Sequence, residues 1–380
     1  MLREAECKVH EILFSIHNPM LQILLPINID RWRSPIATLL RACAEFNPDI
    51  EFTSFSSPET DEDREKSQQF WALPNVKKGR FSAVINEHFD IVHIASHTNK
   101  NLLAGTIAKL RGVNRTKFLY TINLELEAKD RDAYIYKWFS AVVDDYVAVS
   151  HAASKMVRQD APECFHGVIP NGYEATYYHP GADVNGDLPE RIRALAGAPY
   201  VLNVAALEPR KHPEWIVAMA RANPDVNFVM AGWVVPGLGE SFLEMIETCG
   251  LPNLIWLGHV TRSAIRALLK HASAFAFPSE REGLPLSVIE AMGMGLPVVA
   301  QPKSSLPELI VDADCGSLIA IDGARAMEEW STAIRGYLGM YAQDSERFRT
   351  ALSERTSRSY SWASIGRSYA RVYKEIVVRE

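Results

Sequence analysis

The feature that most limits the fold of this chain is a rhythm that runs twice: short apolar runs of strand length alternate with longer amphipathic segments. In the first half the apolar runs are "LQILLPI", "IEFTSF", "FDIVHIA", "KFLYTI", "DYVAVS" and the short "GVIP". Between them, helical spacing is predicted after Ser34-Pro35 (Ile36, Leu39, Leu40, Cys43) and over residues 102–110, 133–143 and 152–158. The charged stretch "SSPETDEDREKS" reads as a solvated loop. A stretch rich in Pro, Gly and Asn follows, "PNGYEATYYHPGADVNGDLPE", and then the pattern restarts. The second half offers strands "YVLNVAAL", "NFVMAG", "LIWLG", "AFAFPS" and "PVVAQ", with helices predicted over 213–223, 242–249, 265–271 and 286–294. Strands alternating with helices make parallel sheets with crossover helices, and such sheets are covered on both faces. The expectation is an α/β protein of two doubly wound, Rossmann-like domains facing one another, with ligands bound beyond the carboxyl ends of the strands in the cleft between them.

The boundary is placed near residues 179–198, giving an N-terminal domain over 1–185, a second over 186–360 and a closing segment over 361–380; residues 1–19 read as a loose extension. A length of 380 residues, 47% of them apolar, suffices for two cores. The net charge of −6 argues against a protein that works by coating nucleic acid. Five cysteines (Cys7, Cys43, Cys164, Cys249, Cys315) lack the paired spacing of a disulfide framework or a structural zinc site, which points to a reducing cytoplasm. No apolar run nears the ~20 residues that span a bilayer, so any membrane association is expected to be peripheral, at the inner face. No strict internal repeat is evident.

One segment asks for an explanation: "SEREGLPLSVIEAMGMGLPVVA", residues 279–300. Pro285 suits the first helical position, and Leu286, Val288, Ile289 and Met292 cover one arc of the helix that follows. Glu290 sits at the edge of that arc, where an ionised carboxylate needs a partner. The carboxylate is met either by a buried ion pair or a water-filled edge, or by the hydroxyls of a ligand. Glu282 lies in the preceding turn, just before Gly283, where free amides at Gly283, Leu284, Leu286 and Ser287 can hold anionic oxygen. A carboxylate, an amide nest and a second carboxylate suit a sugar joined through phosphates to a ribose.

This segment resembles the signature of the retaining glycosyltransferases of family 4, which have the GT-B fold: a glutamate, seven residues, a second glutamate and a small-residue run. "DYVAVSHAASKMV", "VIPNGYEATYYHP", "LNVAALEPRKHPEWIVAMA", "WLGHVTRSAIRALLKHASAFAFPS" and "YSWASIGRSYARVYKEIV" are similar to further stretches of that family in the same order, the last being its closing segment, which crosses back to the first domain. The resemblance implies transfer of a sugar from a nucleoside-diphosphate donor to an acceptor hydroxyl with retention, the acceptor being a carbohydrate or lipid-linked glycan. It assigns Glu282 to donor-sugar hydroxyls and Glu290 to the ribose. Arg210 and Lys211, two cations after a strand end, would grip the diphosphate and stabilise the leaving group without a metal or other cofactor.

The chain also departs from the family. Ala206 stands where many members carry an arginine, and "PINIDRWRSP" replaces a glycine-bearing loop. Arg31 and Arg33 read equally as acceptor-site residues and as a cation-rich helix start. Asn123 occupies the position of a histidine often found near a sugar hydroxyl, and reads either as a sugar contact or as a turn cap. His259 and Val260 are candidates for the base side. His93 and His97 lie at a strand end and read as structural histidines, not metal ligands. The rival reading is a nucleotide-sugar-binding subunit of the same fold without transferase activity; a dinucleotide-dependent oxidoreductase is disfavoured because no strand is followed by G-x-G-x-x-G.

Overall fold

The computed structural model describes residues 20–28, 35–56, 67–80, 87–95, 116–125, 142–184 and 187–378, with positions 103, 106, 107 and 110. Arg31, Arg33, His97, the charged stretch after residue 56 and the helices expected over 102–110 and 133–143 lie wholly or largely outside them.

The first sheet is built from β1 (Leu21–Asn28), β2 (Ile50–Phe55), β3 (Val76–Gly79), β4 (Ile91–Ile94), β5 (Lys117–Ile122), β6 (Asp145–Ala148) and β7 (Phe165–Val168), with helices α1 (Pro35–Glu45) and α2 (His151–Asp160) among its connections. Its strand order is β3-β2-β1-β4-β5-β6-β7. The short, lysine-bearing β3 was not foreseen; it is an edge strand whose Lys77 and Lys78 are exposed, so it lacks the apolar run that marks the others. The second half follows as α3 (Glu190–Arg193), β8 (Tyr200–Val204), α4 (Pro213–Ala222), β9 (Asn227–Ala231), α5 (Glu240–Thr248), β10 (Leu254–Trp256), α6 (Arg262–His271), β11 (Ala274–Phe277), α7 (Leu286–Gly293), β12 (Val298–Ala300), α8 (Leu306–Leu309), β13 (Gly316–Leu318), the 35-residue α9 (Ala326–Tyr360) and α10 (Trp362–Val378). Its sheet runs β10-β9-β8-β11-β12-β13, all parallel.

Parallel strands covered on both faces carry unbroken apolar runs, and β4, β11 and β12 are buried along their whole length. The core of the second sheet joins Val201, Phe228, Met230 and Val299 to Met219 of α4 and to Trp330 and Ile334 of α9. By its contacts the chain divides into two compact units, one formed by residues 1–121, 134–145 and 366–380, the other by 122–133 and 146–365.

Each half repeats one polar device. Asn75, in "LPNV", donates from its buried amide to the carbonyls of Ala44, Asn47 and Ile50 at 2.9, 3.0 and 3.0 Å. Asn253, in "LPNL", donates to Ala220, Asn223 and Val226 at 2.9, 2.9 and 2.8 Å. In each half one acceptor lies in the last turn of the helix (Ala44, Ala220) and two lie in the following "NPDI" or "NPDV" turn, so one side chain ties a helix end to the strand after it. This likeness of the halves is too local to register as a sequence period.

In the first unit, α10 is tied to the sheet through hydroxyls. Its Tyr373 hydroxyl lies 2.7 Å from His93 Nδ1, Thr121 Oγ1 lies 2.8 Å from His93 Nε2, and the Tyr369 hydroxyl lies 3.0 Å from Thr121 Oγ1. His93 is therefore a buried structural residue. Burial lowers its pKa from 6.5 to about 3.

Candidate functional site

The second sheet has the strand order in which connections reverse direction between β8 and β11, and a ligand crevice is expected beyond the carboxyl ends of those two strands. Arg210 and Lys211 follow β8, and Glu282 follows β11. The two loops are bound together: the amide of Glu280 donates to the Arg210 carbonyl at 2.8 Å, and the Arg210 guanidinium donates to the Arg281 carbonyl at 2.8 Å.

Lys211 Nζ is paired with the carboxylate of Glu282, Arg210 Nη1 stands 3.3 Å from the same oxygen, and the Ser279 hydroxyl donates to it at 2.5 Å. Arg210 Nη2 also meets Glu208 at 2.7 Å. Glu282 is 7% exposed, and a carboxylate so buried requires such partners. Lys211 lies over the Phe277 ring at 5.0 Å, and burial lowers its pKa against the opposing pull of Glu282. Glu282 and Glu208 together match the charge of the two cations.

Gly283 and Leu284 are buried beside this cluster. Gly283 is a close-approach glycine: a Cβ built there would meet the Asn123 carbonyl oxygen at 1.8 Å, so the turn and the residues after β5 are packed backbone to backbone. Asn123 is thereby brought against the Glu282 turn. Leu286 and Ser287 form the first turn of α7 and are half-buried. Pro285 stands one position earlier than expected, preceding the helix at φ −74° and ψ 119°, and its carbonyl accepts from Ile289. At the far end of α7, Gly295 takes φ +75° and turns the chain into β12.

Glu290, half-buried on α7, belongs to a second cluster. The Tyr178 hydroxyl hydrogen-bonds to it, and the Arg262 charge lies nearby; burial nonetheless raises its pKa from 4.5 to about 7. Arg262 stacks on Tyr177 at 4.3 Å, lies over Tyr178 at 5.3 Å and pairs with Glu174 at 2.6 Å. Thr261, whose side chain accepts from the Ala264 amide at 3.2 Å, starts α6 so that Arg262 projects from its first turn. Exposed His259 and half-buried Val260 immediately precede it. Glu290 is thus met by a tyrosine hydroxyl, with the Arg262 charge nearby.

Sequence reasoning missed Ser279, Glu208, Tyr178, Arg262, Ser304 and Glu125. Tyr178 lies in the turn-rich passage and Arg262 at a helix start, both of which look solvated in one dimension. Two of the three non-glycine residues with positive φ among those described, His212 at 49° and Ser304 at 55°, flank the Lys211–Glu282 pair. Among the described residues no group of three or more His, Cys, Asp or Glu is arranged to hold a metal ion, and no helix is long and apolar enough to cross a membrane.

Residues 187–349 match the family model described as "Glycosyl transferases group 1". The chain is similar to the MMP alpha-(1->4)-mannosyltransferase of Mycolicibacterium hassiacum, 25% identical over 263 residues, which are 66% of this chain and 60% of that protein. It is also similar to the UDP-Gal:alpha-D-GlcNAc-diphosphoundecaprenol alpha-1,3-galactosyltransferase of Escherichia coli, 29% identical over 253 residues, 62% of this chain and 64% of that one. Both are matched over less than two thirds of their length. Among solved structures, Anabaena HepE in complex with UDP and glucose superposes with a TM-score of 0.71 at 18% identity, covering 93% of this chain and all of that one. A glycosyltransferase from Rickettsia africae gives 0.72 at 16%, covering 96% of this chain and all of that one. The fold is GT-B.

Proposed function

We propose that this protein is a retaining glycosyltransferase that moves a sugar from a nucleoside-diphosphate donor to an acceptor hydroxyl in glycan, polysaccharide or glycolipid synthesis. The observation that carries the reading is the meeting of Arg210, Lys211 and Glu282 at the ends of β8 and β11, where the connections of the second sheet reverse. A carboxylate facing two cations suits a ligand with hydroxyls at one end and a diphosphate at the other. The names of the relatives, a mannosyltransferase and a galactosyltransferase with a UDP-sugar donor, support the same class.

In this mechanism the bond from the anomeric carbon to the β-phosphate oxygen breaks, and its electron pair stays with the departing diphosphate. Arg210 and Lys211 stabilise that charge. The acceptor oxygen forms the new bond on the same face, and its proton passes to the leaving phosphate oxygen. Glu282 holds the sugar hydroxyls and Glu290 the ribose, so the side chains supply position and charge, not a nucleophile. No metal is required, and turnover should persist in chelator.

A thermal-shift screen of nucleotides and nucleotide sugars tests the assignment, since a ligand that binds only the folded form raises its stability. Glu290→Ala should abolish the shift given by the preferred nucleotide. Glu282→Ala should keep much of it and lose transfer. Unchanged behaviour in both variants would reject the site, and a wild-type protein that binds a nucleotide sugar without transferring or hydrolysing it would reject the enzyme.

A further inference from the structure

Beside the Lys211–Glu282 pair stands a third carboxylate that the proposed chemistry does not use. Glu125 follows β5, two residues beyond Asn123, and its Oε2 accepts from the Ser304 hydroxyl at 2.6 Å. Ser304 lies in the loop after β12 with φ at 55°, a conformation that a residue bearing a Cβ rarely adopts. Its Oγ accepts the amide hydrogen of Glu282 at 3.0 Å and lies 2.6 Å from the Glu282 carbonyl oxygen. One hydroxyl group thus touches both backbone polar atoms of the donor-facing glutamate. A serine hydroxyl has a single hydrogen, and a carboxylate is the stronger acceptor for it. Glu125 therefore sets the direction of that hydrogen and turns a lone pair of Ser304 toward the Glu282 amide. The carbonyl of Asn123 completes the enclosure by filling the place of a side chain at Gly283.

We propose that Glu125 is a positioning residue for the donor sugar: through Ser304 it locks the backbone of Glu282 and so fixes the aim of the Glu282 carboxylate at the sugar hydroxyls. Its effect falls on the sugar half of the donor, not on the nucleotide half, which rests on Glu290 and the α6 start. The proposal depends on the donor reading above for its ligand, and on the Ser304 geometry alone for its lock.

Two measurements separate these dependencies. The first is amide hydrogen exchange of the ligand-free protein across residues 279–285. Exchange at Glu282 should quicken about tenfold or more in Ser304→Ala, in which the acceptor is gone, and rise clearly in Glu125→Ala. It should stay near wild type in Glu125→Gln, whose amide oxygen still accepts from Ser304. The second compares UDP with UDP-glucose, and GDP with GDP-mannose, in calorimetric binding and turnover. Glu125→Ala should leave nucleotide affinity within about twofold and lower kcat by roughly ten- to a hundredfold, the loss typical of a misdirected group, with Glu125→Gln restoring most of it. Unaltered exchange in Glu125→Ala overturns the lock. Loss in Glu125→Gln equal to that in Glu125→Ala overturns the positioning role, because the charge itself would then act on the substrate. If the wild type binds none of these nucleotide sugars, the donor reading fails, while the exchange measurement still decides the lock.

Discussion

Acid should unlatch the first unit through His93. The ring is wholly buried, both of its nitrogens are satisfied by the hydroxyls of Tyr373 and Thr121, and the Tyr369 ring stacks on it at 5.2 Å. Burial also pushes the Cys43 thiol up to about 12 and the Tyr369 and Tyr373 hydroxyls well above their ordinary range, so none of these three neighbours offers an anion to an imidazolium. In the unfolded chain the ring binds its proton near pH 6.5; in the folded chain it does so only near 3. Between those values the unfolded state holds more protons, so stability is full above 6.5 and falls as the pH drops toward 3. The His93 contribution lost is about 1.4 kcal/mol at pH 5.5 and about 2.7 kcal/mol at pH 4.5. The figure at pH 5.5 depends almost wholly on the unfolded value. Urea unfolding followed by circular dichroism at pH 7.5 and 5.5, on wild type and His93→Gln, isolates the effect. The comparison cancels other titrations, among them Glu290, whose raised folded pKa makes stability rise as the pH falls from 7 toward 4.5. Parallel pH profiles for the two proteins would refute the reasoning.

Three further outcomes follow from the geometry. If the ribose hydroxyls donate to ionised Glu290, whose pKa lies at about 7, nucleotide affinity should weaken as pH falls below 7, by about tenfold at pH 6, and be flat with pH in Glu290→Gln; calorimetric titration at pH 8 and 6 measures it. Gly283→Ala must drive the turn away from the Asn123 carbonyl, so it should destabilise by roughly 1–3 kcal/mol and cut turnover more than it weakens nucleotide binding, read from steady-state kinetics beside a melting curve. Asn253→Ala removes the side-chain donor shared by three carbonyls, of which only that of Asn223 is seen to keep a backbone partner, the Val226 amide, and should destabilise by roughly 1–3 kcal/mol, whereas Asn227→Ala, whose side chain makes one exposed 3.3 Å bond, should stay within about 0.5 kcal/mol by urea unfolding.

The alternation of apolar and amphipathic runs was enough to read the two sheets, because parallel strands covered on both faces leave an unmistakable mark. Strands β2 and β5 begin and end at the residues their apolar runs predict. Edge strand β3 left no such mark, since lysines occupy its exposed positions, and the long α9 was not anticipated. At the site, Glu282, Arg210 and Lys211 were singled out chiefly by the family resemblance, and they stand together after β8 and β11. The residues that hold them were not legible. Ser304 lies 22 positions from Glu282, Glu125 lies 179 from Ser304, and Tyr178 and Arg262 are separated by 84; nothing local joins such partners. Only the reversal of connections between β8 and β11 brings the first loops together, and that is a property of strand order.

The hydroxyl latch on His93 has a consequence for the order in which the protein is made. Tyr373 emerges 280 residues after His93, and Tyr369 248 after Thr121. A ribosome translating this message has to finish nearly the whole second sheet before the first can receive its last helix, so the earlier-born half waits, with its imidazole lacking a hydroxyl partner, for the later one. Nascent chains stalled before α10 should accordingly leave that half open to proteases and chaperones.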